Sequence, residues 1–235
     1  MMAKVSSSSP EGNVIFMMTF GVMVVAAIVA AIRQKRAVRQ RSFDLQTLAG
    51  RLQFDDFNPN RDEGFAMGWG FLSRLAQGQD RYAFNILRGT YHEQALFIFD
   101  YHYQTGSGKS RQEHYCTLLM LVVKEGFPQL TIGPESLGEK IATVFGVGND
   151  IKFESAEFSR KFCVRSKDKK FAYDVCNPQM IDYLLTNPGL QIEIQGPVIL
   201  LAFEPQLPVG QIEFNLQRLI EICSRLPEYL FTNVA

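Results

Sequence analysis

The sequence has little of what most enzyme active sites are built from. It contains only three histidines, and it has no hydrolase nucleophile elbow (G-x-S-x-G), zinc-protease helix (H-E-x-x-H) or dinucleotide-binding loop. Acid–base catalysis would therefore fall to carboxylates, and a single sequence does not reveal which carboxylates meet in space. These absences favour a binding or scaffolding module over an enzyme, and we expect no cofactor.

Closely spaced cysteines are also missing. The four cysteines are far apart, form no CxxC pair and lie among apolar neighbours, which predicts small buried side chains in a reducing compartment. A disulfide or a zinc site is the alternative. Cys223 is the clearest case for burial, since it falls on the apolar stripe of the last predicted helix. The others are Cys116, Cys163 and Cys176.

The net charge is zero, with 24 basic and 24 acidic residues, but the charges are unevenly distributed along the chain. Lys4 and a cluster of five basic residues lie in the first 41 positions, which leaves eighteen basic and twenty-three acidic residues downstream. A mildly acidic domain argues against a nucleic-acid partner, because sequence-independent binding needs a strong positive field. The basic cluster consists of Arg33, Lys35, Arg36, Arg39 and Arg41.

One long apolar run stands out near the N-terminus. Residues 14–32 carry no charge and, as a helix, would span roughly 28 Å, close to the thickness of the hydrocarbon core. This predicts a single transmembrane helix after a short polar tail (1–13). The basic cluster behind it predicts that the rest of the chain lies on the cytoplasmic side of the membrane, where the cluster can bind anionic lipid. The alternative is a signal peptide cleaved near Val29-Ala30-Ala31.

The remaining residues predict a stalk helix (33–57), with Ser42 as a helix start, and an α+β domain (58–235). The domain would combine antiparallel hairpins with three packed helices. Predicted strands cover 82–88, 94–103, 114–123, 129–132, 160–166, 169–175, 191–195 and 199–203. Predicted helices begin at Pro134, at Pro178 behind an Asn177 cap, and near Pro208. Residues 118–123 are apolar on both faces, which predicts a central strand covered on both sides.

The glycine-containing stretch 99–114 is the most conspicuous polar segment. Gly108-Lys109-Ser110 looks like the end of a phosphate-binding loop, but Tyr103 stands where that motif requires glycine. A strand is also expected to follow, rather than the helix that would direct N–H groups at a phosphate. We therefore predict a hairpin turn and no nucleotide partner.

The same hairpin offers possible metal ligands. A turn centred on Gly108 would pair His102 with His114 and Asp100 with Cys116, which would put all four side chains on one face of the sheet. Such a set could serve a metal-dependent enzyme, which is the alternative to the binding module. A shift of one residue in the pairing would destroy it.

A second candidate is the basic segment 160–170. The predicted turn between its two strands carries Lys167, Lys169 and Lys170, which could contact anionic lipid if the anchor holds the domain near the membrane. A solvated turn without a partner is the alternative reading.

Two segments resemble parts of small bacterial proteins with a single membrane anchor. The stretch 99–114 is similar to their FDYxYxTGSGKxxxxH-like hairpin, and residues 148–162 (GNDIKFESAEFSRKF) are also similar. The resemblance covers most of the chain after Arg81 and implies the setting of those proteins, a bacterial inner membrane. It implies no particular activity and assigns no functional residues.

Overall fold

The computed structural model describes residues 10–137 and 150–231, with side chains from residue 18 onward. Its first element is helix α1, Pro10–Arg51, which contains a stretch long and apolar enough to cross a membrane. None of that stretch is buried, so it is not the core helix of a globular protein. The helix runs unbroken through Ser42, so the predicted helix start there is wrong; no glycine or proline interrupts residues 22–49.

The chain divides into two compact units, residues 1–44 and 45–235. The second unit begins within α1 because Leu45, Leu48 and Ala49 are buried in its core. The predicted stalk (33–57) therefore includes residues that belong to the folded domain. Strand β1, Asp56–Asn58, then follows directly.

A six-stranded antiparallel sheet forms the centre of the second unit, which confirms the α+β class. Its order is β1 to β5, and β6 also pairs with β4. The middle strand, β4, is long enough to have β3 and then β5 along one side and β6 along the other. The remaining strands are β2 (Gln79–Tyr91), β3 (Gln94–Thr105), β4 (Gln112–Pro134), β5 (Phe162–Ser166) and β6 (Gln191–Phe203).

Each face of the sheet carries its own apolar core. The first face packs against the end of α1 and four later helices, and the second face packs against two short helices between β1 and β2. Along β4, Leu118 and Met120 point to the second face while Leu119 and Leu121 point to the first. The prediction of a central strand covered on both sides is confirmed.

Local capping explains where several helices begin. The short helices on the second face are α2 (Glu63–Gly68) and α3 (Ser73–Ala76), and those on the first face are α4 (Ala156–Lys161), α5 (Lys169–Val175), α6 (Pro178–Thr186) and α7 (Ile212–Ser224). Asn177 accepts a hydrogen bond from the Met180 N–H, and Pro178 occupies the first turn, so this predicted helix start is confirmed. The helix predicted to begin at Pro134 falls mainly on residues 138–149, outside the described part.

The predicted hairpin of strands 160–166 and 169–175 is wrong, although β5 confirms most of its first strand. Residues 156–161 form α4, and residues 169–175 form α5 rather than a strand. Asp168 caps α5 by accepting from the Phe171 N–H, and Phe171, Ala172 and Val175 form its buried side. Two pairs of predicted strands each form one long strand with irregular pairing. Strand β4 contains the predicted strands 114–123 and 129–132, and β6 contains 191–195 and 199–203.

Two turns connect β2, β3 and β4. His92 and Glu93 form a two-residue turn, and both have positive φ, as type I′ hairpins require. The second turn contains a 3₁₀ turn at Gly108–Ser110 and confirms the predicted hairpin. Gly106 has a φ of +72°, and a Cβ there would lie 2.3 Å from the Ser110 carbonyl oxygen, so glycine is required.

Candidate functional site

The four predicted metal ligands do not share a face. Thr105 pairs with Gln112, so six residues connect β3 to β4, and the pairing is centred between Gly108 and Lys109 rather than on Gly108. Asp100 consequently lies opposite Thr117, and His102 lies opposite Tyr115. Asp100 and His102 belong to the first face, whereas His114 and Cys116 belong to the second.

This one-residue difference corrects the predicted pairing and separates the proposed ligands. Within residues 10–137 and 150–231, no three His, Cys, Asp or Glu side chains are grouped so that they could hold a metal ion. Each of the four predicted ligands instead has a local partner that explains its position.

His102 lies in a row of aromatic rings on the first face. It stacks on Tyr82 at 4.5 Å and contacts Tyr115 at 4.8 Å between ring centroids, and only 2% of it is exposed. Its Nδ1 is 3.0 Å from the Asp80 carbonyl oxygen, and its Nε2 is 2.5 Å from the Glu113 carboxylate. Both ring nitrogens of His102 therefore have a hydrogen-bonding partner. The hydrogen bond from His102 is the main reason that the pKa of Glu113 is lowered.

Asp100 is buried and links several strands through hydrogen bonds. Its carboxylate accepts hydrogen bonds from the Asn85 amide at 3.0 Å and from the Thr117 hydroxyl at 2.9 Å. The Thr117 oxygen in turn accepts from the Leu207 N–H at 3.0 Å. This network joins β2, β3 and β4 to the segment after β6, so Asp100 has a structural role in the fold.

Cys116 is fully buried beneath the second face, and burial raises the pKa of its thiol to about 12. A thiol in such surroundings stays protonated near neutral pH. Cys163 and Cys176 are also buried, as expected, but Cys223 is half-buried. The prediction that Cys223 is the clearest buried case is therefore wrong, because it lies at the margin of the buried side of α7.

A further concentration of polar groups lies on the second face and was not predicted. At its centre the Glu193 carboxylate, on β6, accepts hydrogen bonds from the N–H and the hydroxyl of Ser73, each at 2.6 Å, and from the Arg74 N–H at 3.0 Å. Glu193 is only 4% exposed, and its burial raises the pKa of the carboxyl group. The carboxylate thus fixes α3 to the sheet.

The Arg74 guanidinium extends this arrangement toward the hairpin. It donates to the Gln191 side chain at 3.0 Å and lies 3.4 Å from the Glu204 carboxylate. Glu204 also accepts from His114 Nδ1 at 2.9 Å, while Tyr103 stacks on the His114 ring at 4.5 Å. We call this set the Arg74 cluster; it consists of Ser73, Arg74, Tyr103, His114, Gln191, Glu193 and Glu204.

A small pocket beside the Arg74 cluster holds about 40 Å³ of space for water-sized molecules. Two atoms in its lining residues, the Arg74 Nε and the Thr131 hydroxyl oxygen, are buried without a hydrogen-bonding partner. A pocket of this volume holds a few waters, which would satisfy both atoms, but not a typical metabolite. The cluster is therefore suited to fixing α3 and the hairpin on the sheet rather than to chemistry on a substrate.

The predicted lipid-contacting residues lie on exposed surfaces. The basic residues of the first unit (Arg33, Lys35, Arg36 and Arg39) are exposed along α1, with Arg41 half-buried. Lys167, Lys169 and Lys170 are exposed where β5 leads into α5, and Lys170 pairs with Asp174 at 3.2 Å. Arg165, by contrast, is buried beside Cys163, so the basic segment is not one continuous exposed surface.

Comparison with known proteins identifies a similar fold. No family model and no curated protein matches the chain. Among solved structures, the crystal structure of the mycobacterial trehalose monomycolate transport factor A is similar, with a TM-score of 0.57 and 17% sequence identity. The similarity covers 79% of this chain and 96% of that chain. At this level of identity it shows the fold alone.

Proposed function

We propose that this chain is a non-enzymatic binding or scaffolding module, anchored by α1 in the inner membrane of a bacterium with its α+β domain in the cytoplasm. The observation that carries the proposal is an exposed apolar helix joined to a domain with its own two-sided core. An apolar helix with no buried side is stable in a bilayer and costly in water.

The cytoplasmic orientation is supported by charge and by thiols. The basic residues directly after the apolar run favour retention of that end in the cytoplasm, where they can bind anionic headgroups. Free thiols are typical of a reducing compartment, and the cysteines of the described residues are unpaired. Lys167, Lys169 and Lys170 are proposed as a second lipid contact.

The hydrogen bonding of the buried polar groups supports a binding role rather than catalysis. The Arg74 cluster and the Asp100 network are occupied by contacts inside the domain, and the pocket beside Arg74 is small. The metal-dependent enzyme loses its basis because His102 and His114 lie on opposite faces. The protein of similar fold is described as a transport factor for trehalose monomycolate, and we propose a supporting role in transport at the membrane for this chain as well.

Affinity purification tests this proposal. The full chain, tagged at its C-terminus, would be crosslinked in cells, solubilised in detergent and purified, with an unrelated single-pass anchor carrying the same tag as control. We expect an integral membrane protein to co-purify in constant ratio with the chain and not with the control. Recovery of the chain alone after crosslinking would contradict the scaffolding role.

A further inference from the structure

A strip of large apolar side chains lies on the surface of the domain around α2. From residue 65 to residue 71, every second side chain is large and apolar, and the residues between are alanine or glycine. Met67 is 66% exposed and Phe71 is 43% exposed. An exposed apolar patch of this kind marks an interaction surface. We call it the aromatic strip; it consists of Phe65, Met67, Trp69 and Phe71.

The strip is held in place by the fold. Asp62 caps α2 by accepting from the Phe65 N–H at 2.8 Å, and the Phe65 ring packs edge-on against Phe99 of the second core at 5.0 Å. The Trp69 ring lies 6.5 Å from Phe65 and 6.1 Å from Phe71, between ring centroids. These contacts fix the inner parts of the rings, so the outward exposure of the strip is part of the folded structure.

The membrane is the occupant that fits this surface best. Only twelve residues lie between Ile32, the end of the apolar run, and Leu45, where the domain begins. Even fully extended, the chain from Ile32 to Leu45 spans at most about 47 Å. The bilayer is therefore always within reach, and a weak contact acts at high effective concentration.

The chemistry of the strip agrees with a bilayer surface. Tryptophan is enriched at the boundary between headgroups and acyl chains, and phenylalanine and methionine can enter the hydrocarbon edge. The exposed Arg88 guanidinium lies 5.8 Å from the Phe65 ring and is positioned to meet a lipid phosphate beside the inserted rings.

We propose that the aromatic strip inserts into the headgroup boundary of the membrane that holds α1, giving the domain a second and reversible membrane contact. The inference rests on the proposed anchoring. This contact sets which side of the domain faces the bilayer.

Trp69 makes the proposal directly testable because it is the single tryptophan of the chain. The full chain would be reconstituted into liposomes in which the acyl chains carry bromine either near the glycerol end or near the methyl end. We expect bromine near the glycerol end to remove most of the Trp69 emission, and bromine near the methyl end to remove much less. Emission unchanged by either lipid would overturn the proposal.

Variants distinguish membrane contact of the strip from binding to a second copy of the chain. Replacing both Met67→Ser and Phe71→Ser should restore most of the emission, whereas Phe214→Ser, at an exposed ring on α7, should leave the quenching unchanged. If the strip instead binds a second copy, bromine would not quench Trp69, and its emission would shift to longer wavelength as protein is diluted with lipid. That outcome would also refute membrane contact.

Anchoring is measured in the same liposomes by resistance to alkaline extraction. A chain that resists extraction while Trp69 is unquenched would refute the strip contact and leave the proposed anchoring intact. A chain that is extracted would refute both.

Discussion

Glu193 provides the sharpest test of how the second face is held together. The carboxylate is buried and accepts three hydrogen bonds, two of them from backbone N–H groups of α3. In Glu193→Ala these two donors lose their partner at a buried position. An unsatisfied buried donor costs roughly 1–3 kcal/mol, so we expect the free energy of unfolding to fall by about 3 kcal/mol.

Glu193→Gln is the matched control. Burial raises the pKa of the Glu193 carboxyl group because desolvation imposes a cost on its charged form. Glutamine removes that cost and keeps one acceptor oxygen, so we expect a loss of only about 1 kcal/mol. In thermal unfolding of the detergent-solubilised chain, the alanine variant should melt about 6–12 °C below the wild type. A midpoint for Glu193→Ala within about 2 °C of the wild type would refute the reasoning.

Three further predictions concern titration, thiols and lipid. The hydrogen bond with His102 lowers the pKa of Glu113 from 4.5, so the contribution of Glu113 to stability is complete above pH 4.5 and is lost as the pH falls further. Glu113→Gln should therefore flatten the acid denaturation profile below pH 4.5. An unchanged profile would contradict this. Mass spectrometry of the native chain should find no disulfide, with Cys223 alkylated first, and rapid labelling of every thiol would contradict burial of Cys116, Cys163 and Cys176. Residues 42–235 should sediment with anionic vesicles more than with neutral ones at low salt, and the difference should disappear when glutamine replaces Lys167, Lys169 and Lys170. Equal sedimentation with both vesicle types would leave those lysines without a lipid role.

Features encoded in a few adjacent residues were predictable. Asn177 followed by Pro178 specifies a helix start through its own side chain and ring, and the apolar run of β4 specifies a strand covered on both faces. The strand predicted at residues 169–175 is wrong because their aromatic and apolar content suits either a strand or a short helix. The decisive local signal was the Asp168 cap, three residues before Phe171.

Features set by long-range contacts were not predictable. The hairpin register depends on whether the turn has an odd or an even number of residues, and the six residues between Thr105 and Gln112 reverse the face assigned to His114. Ser73 and Glu193 are 120 positions apart, and neither segment carries a motif that points to the other. The role of the buried Glu193 carboxylate can be predicted only once the packing of α3 on the sheet is known.

The position of the domain relative to the membrane is the central claim, and a C-terminal reporter tests it most directly. One fusion would carry a reporter active only in the cytoplasm and a second would carry a reporter active only outside it, each on the full chain. We expect activity from the first fusion alone, in membranes that retain the chain after alkaline extraction. Activity from the second fusion, or release of the domain as a soluble protein after cleavage near Ala31, would contradict the account.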